Sequence, residues 1–328
     1  MKNPETGRPS RREFVALGIG AFVVAAAPGV IRPRRRIVRR RIPVMGTIAE
    51  IGVVHRDERF AQGAIGAAIA ELRAVDRTMT RFDDGSEVGR ANLEAAGRAV
   101  PVSHGTAEVV AAALSWADAS RGRFDPTLGR AAALWDVGHR SAPPARDELR
   151  ALEGGLYRSL ELGRSKGEPV VVYHDPAVQL DLGGIAKGYG VDRAATALRE
   201  WGITDALINV GGDLYALGVS EDGDPWEVGV RDPDDASKLA ATFRVTDRAV
   251  ATSGDYEQYF EHRGRRYHHL LDPRTGEPRR TRVRSVTVAA DHCMTADAAG
   301  TAVFGQDQDA AHRLIAAVDR DARVLHIG

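Results

Sequence analysis

The fold is organised around residues 181–192, which read DLGGIAKGYGVD. Apolar runs at 170–173 and 178–180 precede this stretch and apolar residues at helical spacing follow it, so we expect its glycines where a strand turns into a helix. Glycine lets the backbone approach a ligand closely, and the first amides of a helix have no partner within it. Lys187 adds a positive charge and Asp181 a negative one. The stretch therefore predicts a site for a phosphate with a divalent cation, and a plain strand-to-helix connection is the alternative.

The composition is that of a globular protein without a strong overall charge. The chain has 328 residues, of which 43% are hydrophobic, enough for one large domain or two moderate ones. The 45 basic and 45 acidic residues cancel, which gives no argument for nucleic acid as a partner. The single cysteine, Cys293, excludes an intramolecular disulfide and a multi-cysteine metal site.

Residues 1–31 are typical of a twin-arginine export signal. Arg11 and Arg12 are followed by Phe14 and by a weakly apolar run at 16–31, so we expect the folded part to lie outside the cytoplasm. Small residues at 25–27 favour cleavage. An uncleaved anchor that tethers the protein to the membrane is the alternative, because the run is close to the length that spans a bilayer. Residues 32–41 form a basic linker, and the folded domain is predicted at 42–328.

The predicted strands come in clusters rather than in alternation with helices, which favours an α+β fold over a doubly wound sheet. Apolar spacing predicts helices at 58–79, 106–120 and 294–304, with shorter ones from Ser86 and near 147–152. Extended apolar patterns predict strands at 43–51, 206–210, 214–219, 226–230, 240–245, 249–252 and 285–290, and a hairpin turn at 262–264.

Asp297 and Thr301 lie four residues apart in the predicted helix at 294–304, so both side-chain oxygens point to one face. Completed by a backbone carbonyl from a glycine loop, such hard ligands suit Mg²⁺ or Ca²⁺ rather than zinc. The alternative is an ordinary helix in which the threonine bonds to its own backbone.

Other side chains have candidate roles in a cleft. His269 precedes a proline-containing turn, and its imidazole can take a proton from an attacking hydroxyl, although a surface histidine or a role for His268 instead is the alternative. Met45 and Phe82 can sandwich a flat ring, and core packing explains both equally well. Neither a dinucleotide fingerprint nor a P-loop motif occurs in the sequence.

Seven blocks in collinear order together resemble the ApbE family, the Mg²⁺-dependent FAD:protein FMN transferases. They are residues 45–47, 79–87, 124–127, 181–188, 209–213, 269–276 and 296–301. The resemblance implies a two-lobed α+β fold, with mixed or antiparallel sheets flanked by helices and FAD in a cleft. Phe82 stands where the family usually has tyrosine, which keeps a stacking surface but loses a hydroxyl.

The resemblance also implies ligands and roles for single residues. Mg²⁺, with Ca²⁺ as a substitute, would be held by the Gly184 carbonyl, Asp297 and Thr301. FAD would contact Met45, Phe82, Arg123, Phe124, Asp125, Asp181, Lys187 and Leu271. The implied reaction is attack of a threonine hydroxyl of an acceptor flavoprotein on the FMN-side phosphorus of FAD, with release of AMP. Lys187 would neutralise charge, and His269 or Asp297 would take the proton, with His269 favoured.

Two other functions use the same residues. Hydrolysis of FAD to FMN and AMP needs only water in place of threonine, and an exported FAD-binding protein needs no reaction at all. The chain contains no acceptor-like sequence of an Asp followed closely by Thr and then Ala-Thr, so we expect the acceptor to be a separate protein.

Overall fold

The structure is a computed structural model and describes residues 22–25, 35–150, 152, 155–235 and 237–328. The predicted export signal and its cleavage site lie outside these residues, except for a strand at Phe22–Ala25. None of the helices in the described part of the chain is long and apolar enough to cross a membrane.

In this part of the chain the strands are β1 (Phe22–Ala25), β2 (Ile37–Val44), β3 (Thr47–Val54), β4 (Val100–Pro101), β5 (Leu160–Ser165), β6 (Glu168–Tyr173), β7 (Ala206–Val210), β8 (Asp213–Leu217), β9 (Trp226–Arg231), β10 (Leu239–Val245), β11 (Arg248–Gly254), β12 (Tyr259–His262), β13 (Arg265–His268), β14 (Ser285–Ala290) and β15 (Arg323–Ile327). The α-helices are α1 (Glu58–Met79), α2 (Glu87–Glu94), α3 (His104–Ala119), α4 (Gly129–Trp135), α5 (Arg146–Arg150), α6 (Ala186–Glu200), α7 (Cys293–Val303) and α8 (Gln308–Val318).

An antiparallel sheet of seven strands forms the centre, in the order β15-β14-β11-β8-β7-β3-β2. Helices α1, α6 and α7 cover one face, and β9 and β10 cover the other. Because neighbouring residues of a strand point to opposite faces, Ile208 packs under the helices while Leu207 packs against Trp226. Burial on both faces explains why β7 and β8 are apolar almost throughout.

Smaller sheets surround this centre in the orders β1-β9-β10, β4-β6-β5 and β12-β13. The β12–β13 hairpin belongs to a minor lobe with its own apolar cluster, in which Trp135 stacks on Tyr267 and Phe260. The indole N–H of Trp135 donates to the carbonyl of Gly276 at 2.6 Å. These contacts hold the segment after β13, which carries His269, within the minor lobe.

The structure confirms the α+β class and several elements. Helix α1 has the predicted bounds, since its apolar residues repeat at helical spacing and face the sheet. Ser86 caps α2 by accepting the N–H of Gly89 at 2.8 Å. Strands β7 and β14 also match their predictions.

Other boundaries differ from the predictions. The strand predicted at 43–51 is a hairpin, with a two-residue turn at Met45 and Gly46, whose φ angles are 52° and 69°. Strand β2 begins inside the predicted linker, because Val38 and Ile42 are buried while the intervening arginines stay exposed. The run at 178–180 forms only an isolated bridge between Leu128 and Gln179. Helix α8 and strand β15 follow the last predicted element.

Candidate functional site

The stretch 181–192 forms an irregular turn followed by the first part of α6. Ile185 at the start of this helix offers no side-chain cap. The backbone N–H of Gly188 instead donates to Oδ2 of Asp297 at 3.0 Å, so a carboxylate from α7 satisfies an open amide at the positive end of α6. A Cβ at residue 188 would collide with the carbonyl oxygen of Cys293, and this close contact between α6 and α7 therefore requires glycine.

Lys187 lies among acidic side chains. Its Nζ forms an ion pair with Oδ2 of Asp213 and lies 3.4 Å from Oδ1 of Asp297. Burial works against the charge on Lys187, but the carboxylates of Asp213, Asp297 and Glu257 outweigh burial and raise its pKa above the ordinary value. Lys187 is therefore a fixed cation at neutral pH.

The negative charge around Lys187 exceeds the charge of the lysine. Burial, together with repulsion from Asp297, raises the pKa of Asp213 to about 7 although Lys187 opposes this shift. Burial also raises the pKa of Glu257 to about 8, again against the effect of Lys187. Oε1 of Glu257 is buried without a hydrogen-bond partner in the described chain. The cluster therefore favours the arrival of a further positive charge.

Gly184 and Thr301 meet beside this cluster. A Cβ built on Gly184 would lie 3.2 Å from both Oγ1 and Cγ2 of Thr301, and 3.4 Å from the ring of Phe124. The Thr301 hydroxyl has no hydrogen-bond partner among the described residues, whereas the hydroxyls of Thr78 and Thr196 bond to their own helix backbone. Thr301 is thus free to act as a ligand.

This arrangement fits a hard divalent cation. Its candidate ligand atoms are oxygens, which Mg²⁺ and Ca²⁺ prefer. The excess negative charge of the carboxylates also favours binding of a cation. In the described chain no three His, Cys, Asp or Glu side chains are arranged as a ready metal site. A cation here would therefore also need hydroxyl and backbone carbonyl ligands, which Thr301 and Gly184 can supply.

His269 follows β13 directly, and its ring is close enough to Lys187 for the lysine charge to act on it. Its Nδ1 lies 3.3 Å from the carbonyl oxygen of Gln258. A carbonyl only accepts, so Nδ1 carries the proton and Nε2 keeps a free lone pair. Burial, together with the charges of His268 and Lys187, lowers the pKa of His269 to about 4, so the ring is neutral at neutral pH.

His268 has a different environment. It is only 5% exposed, its Nε2 lies 3.1 Å from the carbonyl of Arg279, and its Nδ1 accepts the N–H of Leu270 at 3.2 Å. Both ring nitrogens are therefore engaged with backbone groups. Of the two histidines, His269 is the one with a free nitrogen.

Arg123, Phe124 and Asp125 form a loop beside the C-terminal end of α7. The guanidinium of Arg123 donates to the carbonyls of Ala302 at 3.4 Å and Phe304 at 3.0 Å. Phe124 is buried, with its ring near Gly184 as described above. Oδ1 of Asp125 accepts the N–H of Thr127 at 2.8 Å, while Oδ2 is buried without a hydrogen-bond partner in the described residues. An N–H or O–H group of a ligand would satisfy this oxygen. Burial raises the pKa of Asp125.

Asp181 and Phe82 are linked through Arg81. Oδ2 of Asp181 pairs with Nε of Arg81 at 2.8 Å, and the Arg81 guanidinium lies 4.1 Å above the ring of Phe82. Phe82 is 81% exposed, so core packing does not explain this aromatic side chain. A Cβ on Gly190 would lie 3.2 Å from Sδ of Met45, which places that methionine against the same helix as Lys187.

The chain is similar to known proteins over most of its length. The model of the ApbE family matches residues 45–325. The chain belongs to the ApbE family. It is 36% identical over 289 residues to the FAD:protein FMN transferase of Treponema pallidum, covering 83% of this chain and 80% of that protein. It is 34% identical over 279 residues to the enzyme of the same name from Vibrio cholerae, covering 81% of each.

Solved ApbE structures share the fold. The ApbE protein of Thermotoga maritima superposes with a TM-score of 0.79 at 32% identity, over 89% of this chain and 94% of that one. The flavin transferase ApbE of Vibrio cholerae gives 0.73 at 29% identity, over 87% and 92%. The prediction of an ApbE-family transferase with an α+β fold is confirmed, while the roles of single residues stay predictions.

The sequence did not identify every residue that this ApbE site contains. Asp213 ends a Gly-Gly-Asp turn after a strand, which is a weak signal alone, and it also lies in the block at 209–213 that contributes to the family resemblance, but the resemblance assigns no role to it. Glu257 follows β11 within a bend, and Arg279 follows the 272–276 turn, and neither belongs to a recognisable pattern. Their positions depend on long-range packing, which spacing along the chain does not reveal.

Proposed function

We propose that this chain transfers FMN from FAD to a threonine hydroxyl of an acceptor flavoprotein and releases AMP, in a reaction that depends on Mg²⁺. The main support is the convergence of Lys187, Asp297, Gly184 and Thr301 at the start of α6 in a chain of the ApbE family. A cationic amine and hard oxygen ligands at one place suit a pyrophosphate with a divalent cation. The relatives named FAD:protein FMN transferase support the flavin as the group that carries this pyrophosphate.

Lys187 and the start of α6 bind the phosphates in this proposal. The ammonium group is held in place by Asp213, so little reorganisation is needed when negative charge develops on the phosphoryl oxygens. The Gly184 carbonyl, Asp297 and Thr301 would hold Mg²⁺, which when bound would neutralise pyrophosphate charge. Arg81 and Phe82 would offer a cation and a flat face next to Asp181.

His269 takes the proton of the attacking threonine. Its neutral ring has Nε2 free, because Nδ1 donates to Gln258. Its lowered pKa keeps the base form in excess at neutral pH. Asp297 is less suited to this role, because its Oδ2 accepts the N–H of Gly188 and its Oδ1 lies beside Lys187.

One experiment tests this function and separates it from the alternatives. The purified chain is incubated with FAD, Mg²⁺ and a candidate acceptor, and the intact mass of the acceptor is measured together with the nucleotide products. FMN transfer adds the mass of FMN minus water to the acceptor and forms one AMP for each FMN added. Free FMN with AMP and an unmodified acceptor would indicate a hydrolase, and unchanged FAD would indicate a binding protein.

We also propose that the chain is exported by the twin-arginine route and acts outside the cytoplasm. The support is the paired arginines, the following Phe14 and the apolar run of the first 31 residues. Replacing Arg11 and Arg12 by lysine should retain the protein in the cytoplasm, as cell fractionation measures. Normal export of that variant would contradict the proposal. The mass of the exported protein distinguishes a cleaved signal from a retained anchor.

A further inference from the structure

Helix α7, which carries Asp297 and Thr301, is held at both ends by charged side chains from elsewhere in the chain. At its N-terminus the Asp192 carboxylate accepts the N–H groups of Cys293 at 2.7 Å and Met294 at 2.9 Å. At its C-terminus two arginines donate to its last carbonyls. Negative charge at the N-terminus and positive charge at the C-terminus both complement the helix dipole.

Arg279 makes the more extensive contacts at the C-terminal end of α7. Its Nη1 donates to the carbonyls of Thr301 at 2.8 Å and Phe304 at 3.0 Å. Its Nε donates to the carbonyl of Leu271 at 3.0 Å, and its Nη2 donates to the carbonyl of Arg123. One guanidinium therefore joins α7, the segment after β13 and the loop at 123–125.

These contacts hold a half-buried guanidinium through backbone groups. No ion pair joins Arg279 to a carboxylate in the described chain, and all four acceptors are backbone oxygens. Burial and the nearby charge of Arg123 lower the pKa of Arg279 to about 9, which still leaves it charged at neutral pH. A planar group with five donors can bind several carbonyls in fixed directions, which the single ammonium group of lysine cannot do.

We propose that Arg279 is a positioning residue. It fixes the proposed cation ligands on α7 relative to the flavin-binding wall, by which we mean the loop at 123–125 and the segment after β13. It acts through Thr301 on one side and through the backbone of Leu271 and Arg123 on the other. This inference rests on the proposed function, in which these segments bind Mg²⁺ and FAD. Removing the guanidinium frees the last turn of α7 from the wall, so the binding of Mg²⁺ and the binding of FAD weaken together. Losses of about 10- to 100-fold are typical when a residue that orients a metal ligand is removed.

The neighbouring Arg280 provides a matched control. It is exposed and pairs at the surface with Glu277 at 2.9 Å, so it shares the residue type and the local sequence but not the contacts. Such an exposed pair contributes little to stability. Arg280→Met therefore reports any general effect of losing a positive charge from this segment.

The test compares Arg279→Met with Arg280→Met in the full chain. FAD binding is measured by quenching of flavin fluorescence over a series of Mg²⁺ concentrations, well below the melting temperature of each variant. We expect roughly tenfold weaker FAD binding and a roughly tenfold higher half-saturating Mg²⁺ concentration for Arg279→Met, with wild-type values for Arg280→Met. Wild-type binding by folded Arg279→Met, or equal losses in both variants, would overturn the inference.

A second variant covers the case in which Arg279→Met does not fold. Arg279→Lys keeps the charge and can still reach the carbonyls of α7, but it cannot also bond to Leu271 and Arg123. We expect a melting temperature close to that of the wild type and FAD binding weakened several-fold. Wild-type FAD and Mg²⁺ binding by Arg279→Lys would overturn the inference. Absence of FMN transfer by the wild-type chain would instead contradict the proposed function, and the binding comparison would still apply.

Discussion

Gly184 and Thr301, which are distant in the sequence, are in direct contact in the structure. Oγ1 of Thr301 lies 3.2 Å from the position of a Cβ on residue 184. Because Gly184 has no side chain, its backbone lies close to the Thr301 hydroxyl. That hydroxyl has no hydrogen-bond partner among the described residues. The contact joins the glycine-rich turn before α6 to the last turn of α7.

Replacing Gly184 by alanine should impair cation binding. The added Cβ would be closer to Thr301 than ordinary van der Waals contact allows, so the hydroxyl or the turn must move by a few tenths of an ångström. We expect the Mg²⁺ concentration for half-maximal transfer to rise about tenfold, since misplacement of a ligand weakens metal binding. A titration of the rate with Mg²⁺ at saturating FAD measures this effect.

Gly66→Ala is the control for the loss of a glycine. This residue lies inside α1, and a Cβ there meets no atom within 4 Å. We expect unchanged Mg²⁺ dependence and a gain in stability of up to about 1 kcal/mol, because alanine favours helix more than glycine does. An unchanged Mg²⁺ titration for Gly184→Ala would show that Thr301 does not bind the cation.

His269→Ala should abolish most transfer and leave FAD bound. Loss of a general base typically lowers the rate by about 10²- to 10⁴-fold. FMN transfer is measured by acceptor mass, and FAD affinity by fluorescence quenching. His262→Ala serves as control, since that ring bonds to the carbonyl of Ser141 outside the site. Transfer at the wild-type rate by His269→Ala would exclude it as the base.

The pH dependence follows from the same histidine. Burial, with the nearby charges, lowers the pKa of His269 to about 4, below the ordinary value of 6.5. The base form is therefore lost only as pH falls through about 4, and the acid limb of the rate profile should lie there rather than near 6.5. The unfolded chain binds this proton more readily, so His269 also removes stability as pH falls from 6.5 to 4. An acid limb near 6.5 would contradict the assignment.

Glu257→Gln should change how stability depends on pH. Burial, with repulsion from Asp213 and Asp297, raises the pKa of Glu257 to about 8 from an ordinary 4.5. The folded state thus prefers the protonated carboxyl, and the resulting stabilisation is present below pH 4.5 and lost as pH rises through 8. Glutamine does not titrate, so the wild type should lose stability relative to the variant over this range. Thermal melts in a metal chelator at pH 5, 6.5 and 8 provide the measurement.

Glu261→Gln is the matched control, because Glu261 is exposed and forms its only ion pair in the described chain with Arg266 at 3.5 Å. We expect a constant difference in melting temperature between this variant and the wild type at all three pH values. A difference that is equally constant for Glu257→Gln would mean that Glu257 ionises normally and does not belong to the cluster around Lys187.

Single helices and strands could be predicted from the sequence. The contacts between segments that are distant in the sequence could not. Helix α1 and strand β7 were predictable because their apolar residues repeat with the period of the element and face one core. The turn at Met45 was missed because the apolar run continues through it, and only the positive φ angles of Met45 and Gly46 reveal the reversal.

In the candidate site, too, local features could be predicted and long-range contacts could not. The side chains of Asp297 and Thr301 could be placed on one helix face from their spacing. Their relation to Gly184 came from the family resemblance, since no periodicity links a turn to a helix so far along the chain. Glu257 and Arg279 were found only in the structure, because each acquires its partners through tertiary packing.

Asp192→Ala should loosen the other end of α7. The carboxylate of Asp192 satisfies the N–H groups of Cys293 and Met294, and loss of such a cap costs about 1–2 kcal/mol. Asp307→Ala is the matched control, because Asp307 caps the peripheral helix α8 by accepting the N–H of Ala310 at 2.8 Å. Both variants should unfold at lower denaturant concentration, but only Asp192→Ala should weaken Mg²⁺-dependent FAD binding, because α7 carries Asp297 and α8 carries no proposed ligand. Equal effects of the two substitutions on FAD binding would show that the position of α7 does not control the site.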